Sequence, residues 1–378
     1  MDITINPRKL CGALEAIPSK SQAHRLLICA AFADRPTTIC CRATNRDIEA
    51  TTDCLRTLGA KIDRETFGYC VEPIREIPRT AQLPCCESGS TLRFLLPVVG
   101  ALGVDATFLM EGRLPQRPLS PLWEEMERMG CTLSRPSENT IRCTGKLRPG
   151  LYSIPGNISS QFISGLLFAH MLMAGCTLEI TGAIESAPYI DMTRQAIAKF
   201  PLKGSPVITV EGDWSNAAFW LAAKELGSAL YIHNLRPDSP QGDRASAELI
   251  PALQEQQTIC AADIPDLVPI LSVVAAANKG AVFTNIQRLR LKESDRVASV
   301  IAMLESLGGK AEATEDTLTV YGTGLTGGTV NACNDHRIAM SAAIAATVCT
   351  EPVTILGAEC VEKSYPKFWQ EYFRIQNP

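Results

Sequence analysis

Glu87-Ser88-Gly89-Ser90 runs straight into Thr91-Leu92-Arg93-Phe94-Leu95-Leu96-Pro97-Val98-Val99-Gly100-Ala101-Leu102, a polar turn followed by about twelve mostly apolar residues of helical character. The same unit recurs along the chain. Turns of this kind stand at Pro18-Ser19-Lys20-Ser21, Gly156-Asn157-Ile158-Ser159-Ser160, Glu211-Gly212-Asp213-Trp214-Ser215, Asp263-Ile264-Pro265-Asp266 and Asn334-Asp335-His336-Arg337. Taken in order, the six starts are 69, 69, 55, 52 and 71 residues apart. A second series of amphipathic stretches, beginning near Asp47, Leu119, Tyr189, Gly242, Lys292 and Tyr365, is spaced by 72, 70, 53, 50 and 73. The two series agree on six copies of a unit of about 70 residues, with the middle two short. β-rich stretches such as Ala106-Thr107-Phe108-Leu109-Met110, Thr177-Leu178-Glu179-Ile180 and Leu318-Thr319-Val320-Tyr321 lie between the helices. Each unit therefore mixes strands with two helices, which predicts an α/β (α+β) fold and not a helical solenoid.

The composition supports this reading. At roughly 150 residues per domain, a chain of 378 residues suggests two or three domains, and 46% hydrophobic content fills their cores without staples. Lys plus Arg total 36 against 40 for Asp plus Glu, a net charge of -4, so no sequence-independent attraction to nucleic acid or membrane is expected. The 15 cysteines are scattered, adjacent only at Cys40-Cys41 and Cys85-Cys86, and never in C-x-x-C spacing. They read as buried, reduced thiols of a cytoplasmic protein. Leu26 to Ala33 has the apolarity of a signal-peptide core, but Asp2 and Glu15 precede it. No stretch approaches the ~20 apolar residues of a membrane span.

Taken alone, each polar turn is explained by helix capping, in which Ser, Asp or Asn accepts from free helical N–H groups. Positive charge beside the caps is not, because a helix N-terminus favours acidic neighbours. Lys20, Arg25, Arg93 and Arg337 lie within or just beyond these turns. A helix start supplemented by Lys or Arg is a site for a phosphate or a carboxylate.

Six motifs, in this order and spacing, resemble the 5-enolpyruvylshikimate-3-phosphate (EPSP) synthase family. They are Ser19-Lys20-Ser21-Gln22-Ala23-His24-Arg25, Glu87-Ser88-Gly89-Ser90-Thr91-Leu92-Arg93, Arg113 to Arg117 with Pro118, Ser159-Ser160-Gln161-Phe162, Lys292-Glu293-Ser294-Asp295-Arg296 and Asp335-His336-Arg337. The resemblance runs from about residue 3 to about residue 370. It implies an enolpyruvyl transferase fold of six βαβαββ repeats, three per domain, with the third and fourth shortened. It also implies one domain over 21–211 and a discontinuous one over 1–20 and 212–378, with the active site in the cleft between them. The implied reaction moves the enolpyruvyl group of phosphoenolpyruvate to the 5-hydroxyl of shikimate 3-phosphate, through a tetrahedral intermediate, with release of phosphate. It serves chorismate and aromatic amino-acid biosynthesis.

Carried over residue by residue, the resemblance assigns catalytic roles to Asp266, Glu293, Lys20 and Lys363. Lys20, Ser21, Arg25, Ser159, Ser160, Gln161, Ser186, Tyr189, Asp266 and Lys292 are implied to bind shikimate 3-phosphate. Lys20, Gly89, Arg113, Gln161, Arg296, Arg337 and Lys363 are implied to bind phosphoenolpyruvate, whose anionic groups suit guanidinium forks. No metal and no cofactor is implied, the working state is a monomer, and the pocket at Gly89 is the one that glyphosate enters in this family. Blander readings stand beside these: Lys292 to Arg296 as an i,i+4 charged helix face, His336 as a structural histidine, and Gly89 as a turn residue.

The chain departs from the family pattern in its middle repeats, which lack roughly 15 to 20 residues each, between Phe200 and Val207 and between Gln254 and Ala262. Each loss is expected to remove about a strand pair and no motif. Glu87 stands where many relatives have Asn, and Arg288 where some have an acceptor-binding Asn, so Arg288 is left out of the site. The sister transferase that uses UDP-N-acetylglucosamine as acceptor carries Lys-Asn in place of Lys20-Ser21 and a reactive Cys in a loop that here, from Met110 to Arg117, has none. A non-catalytic or weakly active anion-binding relative is the other alternative. An RNA-binding repeat protein fits poorly with the acidic balance and with Asp266 and Glu293 in the motifs.

Overall fold

The structure is a computed structural model that describes residues 1–200 and 207–376. It divides into two compact units, Met1–Ile17 with Glu211–Pro378, and Pro18–Val210. Pro18, Ser19 and Lys20 thus go with the middle segment and not, as the resemblance implied, with the N-terminal one. The reason is local: Lys20 opens a helix whose apolar residues, from Ala23 to Ala31, lie in the core of the middle unit.

The chain starts with β1 (Ile3–Ile5) and β2 (Cys11–Glu15), then enters the middle unit as α1 (Lys20–Ala31), β3 (Thr37–Cys40), α2 (Arg46–Thr57), β4 (Lys61–Glu65) and β5 (Gly68–Glu72). Next come β6 (Thr80–Cys86), α3 (Gly89–Leu102), β7 (Asp105–Met110), α4 (Leu122–Arg128), β8 (Cys131–Ser137) and β9 (Thr140–Gly145). The unit ends with β10 (Leu151–Pro155), α5 (Ser160–Met171), β11 (Thr177–Thr181), α6 (Ala187–Lys199) and β12 (Val207–Thr209). Its sheets are ordered β12-β3-β5-β4, β6-β7-β9-β8 and β10-β11. The four-stranded pair share one plan: two parallel strands, then an antiparallel hairpin. The first strand of the first repeat is therefore β12, from the far end of the segment.

Helices α3 and α5 are apolar on nearly all sides, which marks interior helices, and α1, α3 and α5 are each buried along most of their length, α1 together with its polar Gln22, His24 and Arg25. By contrast α2 buries Ile48, Thr51, Thr52, Cys54 and Leu55 and leaves Asp53 exposed, the single stripe of an outer helix.

The other unit repeats the plan with α7 (Trp214–Glu225), β13 (Ala229–His233), α8 (Ser246–Ala252), β14 (Gln257–Cys260), α9 (Val268–Ala277), β15 (Gly280–Thr284), α10 (Arg296–Ser306), β16 (Lys310–Ala313) and β17 (Thr317–Tyr321). It closes with β18 (Gly328–Asn331), α11 (His336–Ala345), β19 (Val353–Leu356) and α12 (Phe368–Gln376). Its sheets are β13-β2, β14-β15-β17-β16 and β1-β19-β18. The N-terminal strands therefore complete repeats whose remaining parts lie more than 200 residues later. The sixth sheet has three strands among the described residues, because β1 is its only contribution from the N-terminus.

Both shortened repeats, the third and the fourth, have two-stranded sheets among the described residues. The deletion between Gln254 and Ala262 is visible as a turn from α8 directly into β14, where the next repeat carries the β16–β17 hairpin. The deletion between Phe200 and Val207 lies outside the described residues. Each unit has its own apolar core, and the two cores share no residue. All 15 cysteines are free thiols; burial holds for most, but Cys11, Cys260 and Cys333 are exposed because they lie on strand or turn positions facing away from the cores.

Candidate functional site

In the middle unit the starts of α1, α2, α3 and α5 are tied side by side. Lys20, the first residue of α1, reaches Asp47 at the start of α2, with Nζ 2.9 Å from Oδ2. Thr51 on α2 bonds both His24 and Thr91, each at 2.7 Å. Gln161 at the start of α5 donates to Ser90 Oγ at 3.0 Å and accepts from Arg93 Nη1 at 2.9 Å. Ser88 and Ser159 are the N-caps of α3 and α5, accepting from Thr91 and Gln161 N–H. Ser160 is buried beside them.

Gly89 is the first residue of α3, so the turn does not require it. What its missing Cβ leaves room for is two guanidinium groups: a Cβ there would lie 2.8 Å from Arg117 Nη1 and 2.9 Å from Arg93 Nη1, and these side-chain tips would have to shift. Two guanidinium groups thus lie over a helix N-terminus, an arrangement made for an anion. Arg113, which the sequence reading placed there, is exposed at the head of the turn Leu114–Gln116. The guanidinium beside Gly89 is that of Arg117. The sequence reading named Arg113 and not Arg117, although both stand in the same motif.

Arg25 is nearly buried and bonds Thr193 Oγ1 at 2.7 Å, the Ser21 carbonyl at 2.7 Å, the Tyr189 carbonyl at 2.9 Å and Ser164 Oγ at 3.4 Å. Its guanidinium also stacks on Phe94, 4.9 Å from the ring centre. Burial pushes its pKa down to about 10. It joins α1, α5 and α6, and so sets the place of Ser21, Tyr189 and the buried Ser186, the left-handed N-cap of α6.

The other unit gathers the starts of α7, α9, α10 and α11 around Asp266. Its carboxylate meets Arg296 Nη1 at 2.5 Å, Arg337 Nη2 at 3.3 Å and Lys292 Nζ at 3.6 Å. Arg296, only 1% exposed, also holds Glu293 through Nη2 at 2.7 Å and Asp335 through Nε at 2.9 Å. Asp335 caps α11 by accepting from Arg337 N–H at 2.9 Å, and accepts from Ser294 Oγ at 3.1 Å. Arg337 in turn bonds the Ser215 carbonyl at 3.2 Å and Ser215 Oγ at 3.0 Å, while that hydroxyl donates to Asp243. Lys363 bonds the Asn334 carbonyl at 3.0 Å, and His336 is buried as the first residue of α11.

Lys292 and Glu293 precede α10, which begins at Arg296, and Lys292 has an extended backbone. The reading of this motif as a helix face is thereby excluded. Asp335, Ser215 and Asp243 were not singled out in the sequence as site residues. Asp335 was visible as part of its motif; Ser215 and Asp243 become neighbours of Arg337 only in three dimensions.

Burial opposes charge on Asp266, but Lys292, Arg337 and Arg296 outweigh it and hold the carboxyl well below the usual carboxylate range. Burial lowers Lys292 to about 8 despite the pull of Asp266. Burial likewise disfavours the charged form of Asp335, and Arg296 overcomes this and lowers its pKa. Asp266, Glu293 and Asp335 face Lys292, Arg296 and Arg337, a balanced set of charges. No group of three or more His, Cys, Asp or Glu residues that could hold a metal ion occurs among the described residues. No helix among them is long and apolar enough to cross a membrane.

The sequence model of the family described as EPSP synthase (3-phosphoshikimate 1-carboxyvinyltransferase) matches residues 5–203 and 201–372. The chain belongs to the EPSP synthase family. It is 36% identical to the 3-phosphoshikimate 1-carboxyvinyltransferase of Clostridium kluyveri, over 98% of this chain and 96% of that one. Its identity to the protein of the same name from Clostridium acetobutylicum is 37%, with the same coverage. The solved structure of EPSP synthase from Acinetobacter baumannii has the same fold, with a TM-score of 0.78 at 22% identity, covering 99% of this chain and 98% of that one. The two short repeats therefore trim a fold that family members otherwise share along its whole length.

Proposed function

We propose that the chain transfers the enolpyruvyl group of phosphoenolpyruvate to the 5-hydroxyl of shikimate 3-phosphate and releases phosphate, as a step of aromatic amino-acid biosynthesis. The observation that carries the reading is the ionised Asp266 among three cations at converging helix starts. In the first step the acceptor oxygen bonds the central carbon of phosphoenolpyruvate as its proton passes to a base and the methylene carbon gains a proton. In the second, the phosphate leaves and the methyl carbon loses a proton, restoring the double bond. Asp266 is the base in this scheme, and Glu293, Lys363 and Lys20 handle the remaining protons and the departing charge.

A carboxyl held this far down is a weak base, and the scheme requires it to be strengthened. Substrate supplies the means: when Arg296, Arg337 and Lys292 turn to the anionic groups of the ligands, their hold on Asp266 slackens and its pKa rises. For phosphoenolpyruvate we assign Lys20, Gly89, Arg113, Gln161, Arg296, Arg337 and Lys363, and add Arg117, whose guanidinium lies beside Gly89. For shikimate 3-phosphate we assign Lys20, Ser21, Ser159, Ser160, Gln161, Ser186, Tyr189, Asp266 and Lys292, with Arg25 holding the helices that carry them. These groups come from one chain, so a single copy suffices for turnover. Free buried thiols such as Cys29, Cys54 and Cys85 suit a reducing cytoplasm.

Mass spectrometry of the product formed from phosphoenolpyruvate with each of two acceptors tests the assignment. Carboxyvinylated shikimate 3-phosphate is expected; a product only with UDP-N-acetylglucosamine, or with neither acceptor, contradicts it.

A further inference from the structure

Ser215, in the first turn of α7, stands between the carboxylate of Asp243 and the guanidinium of Arg337. A carboxylate only accepts hydrogen bonds and a guanidinium only donates them, so the hydroxyl has one role open to it on each side. Its single proton goes to Asp243, and its lone pairs meet Arg337 Nη2 at 3.0 Å. The Ser215 carbonyl accepts from Arg337 Nη1 at 3.2 Å, so one residue receives both tips of the guanidinium fork. Phe219, four residues further along α7, sets its ring centre 6.0 Å from the same guanidinium carbon. Arg337 Nη2 also reaches Asp266, at the longer distance of 3.3 Å. Its Nε is buried and has no hydrogen-bond partner among the described residues, so donor capacity is left for a ligand.

The segments that present Ser215 and Asp243 are fastened together. Asp213 caps α7, accepting from Asn216 N–H at 2.8 Å. Gln241, two residues before Asp243, accepts from Trp214 N–H at 3.2 Å and donates to the Gly212 carbonyl at 2.8 Å. Asn216 donates to Ser364 Oγ at 3.3 Å, next in sequence to Lys363. Asp243 itself is 1% exposed, a depth at which a carboxylate needs hydrogen bonds and a nearby cation. Its charge is felt at Arg337. Burial disfavours the guanidinium cation and Arg296 repels it, but Asp266, then Asp243 and Asp213, outweigh both and raise its pKa.

We infer that Ser215 and Asp243 are positioning residues that hold the Arg337 guanidinium in place for phosphoenolpyruvate. The inference rests on the transfer reaction proposed above, in which Arg337 turns from Asp266 to an anionic group of the ligand. That exchange gives up the longest of the three contacts, while the hydroxyl and carbonyl of Ser215 keep the other two and Asp243 keeps its charge behind them. The bond to Asp243 also makes the Ser215 oxygen a better acceptor, because hydrogen bonds in a chain polarise one another. Without the pair, the fork is held by Asp266 and the Ser215 carbonyl alone, and phosphoenolpyruvate has to order it on binding, at a cost in affinity.

Steady-state kinetics with each substrate varied in turn, on Ser215→Ala, Asp243→Asn, the double variant and Ser215→Thr, tests this. Ser215→Ala and Asp243→Asn are each expected to raise the KM for phosphoenolpyruvate about tenfold, with kcat changed less than about threefold and the KM for shikimate 3-phosphate unchanged. The double variant is expected to match the singles, because the two residues act as one unit. Ser215→Thr, which keeps the hydroxyl, is expected to restore the KM of the unmodified chain. A purely structural role would instead lower the melting temperature and kcat and leave this split in KM absent. An unaltered KM for phosphoenolpyruvate in Ser215→Ala, a parallel rise in both KM values, or a double variant whose effect is the product of the singles would each overturn the inference. An unmodified chain that forms no carboxyvinyl product would overturn the proposed reaction and the inference with it.

Discussion

Arg296 holds three carboxylates with one guanidinium while nearly excluded from water, and only full pairing makes that position tolerable. Asp335→Asn removes the partner that is itself fully buried, and is expected to cost about 3 kcal/mol of unfolding free energy in a denaturant titration. The pH dependence has a defined sign. Asp266 and Asp335 both have folded pKa values below their unfolded ones, so the stability they contribute is present above about pH 4 and is lost as pH falls through the folded values. Thermal unfolding followed downward from pH 5 checks this. Lys292 works at the other end: with its pKa at about 8 it loses its charge as pH rises through that value. The KM for shikimate 3-phosphate is expected to climb above pH 8, and Lys292→Arg to flatten that climb, because a guanidinium stays charged. These interactions were partly legible in the sequence. Glu293 and Arg296 were picked out by motif and Asp266 by the family resemblance, but the chemistry that ties Arg337 to Ser215 and Asp243 joins residues whose separation in sequence carries no signal.

At the level of helices, the sequence showed where each start lies but not which side chain covers it. Gly89 illustrates this. Its neighbours Arg93 and Arg117 arrive from α3 itself and from a loop, and a methyl group would press on both guanidinium groups. Gly89→Ala is therefore expected to raise the KM for phosphoenolpyruvate about tenfold, a loss of about 1.4 kcal/mol, while leaving the melting temperature nearly unchanged. Arg25 has the opposite profile. It fastens α1, α5 and α6 through four hydrogen bonds, so Arg25→Leu is expected to destabilise the middle unit by about 2 to 4 kcal/mol, measured by chemical denaturation. Lys292 and Glu293 were ambiguous in sequence because a charged i,i+4 pattern also fits a helix face; the helix begins three residues after Glu293, at Arg296, and the ambiguity ends there.

Across the whole chain the six-fold repetition was readable because each copy buries an apolar helix behind a polar turn, a pattern fixed by local chemistry. Strand partnership was not. β12 completes the first sheet from the other end of its unit, and β1 and β2 complete sheets of repeats far along the chain, since pairing is decided by packing of whole layers and leaves no spacing rule behind. The shortened third and fourth repeats were visible as reduced spacings, each has a two-stranded sheet among the described residues, and neither deletion falls in a site motif. Turnover is thus expected to survive the deletions. The most direct test is phosphate release from phosphoenolpyruvate in the presence of shikimate 3-phosphate, run on the unmodified chain and on Asp266→Asn, with binding of both ligands measured alongside. Release that depends on the acceptor in the unmodified chain, and falls by a factor of about 1,000 or more in Asp266→Asn while both ligands still bind, is the predicted result. Asp266→Asn releasing phosphate at the unmodified rate would show that the carboxylate at the centre of the cations is not the base.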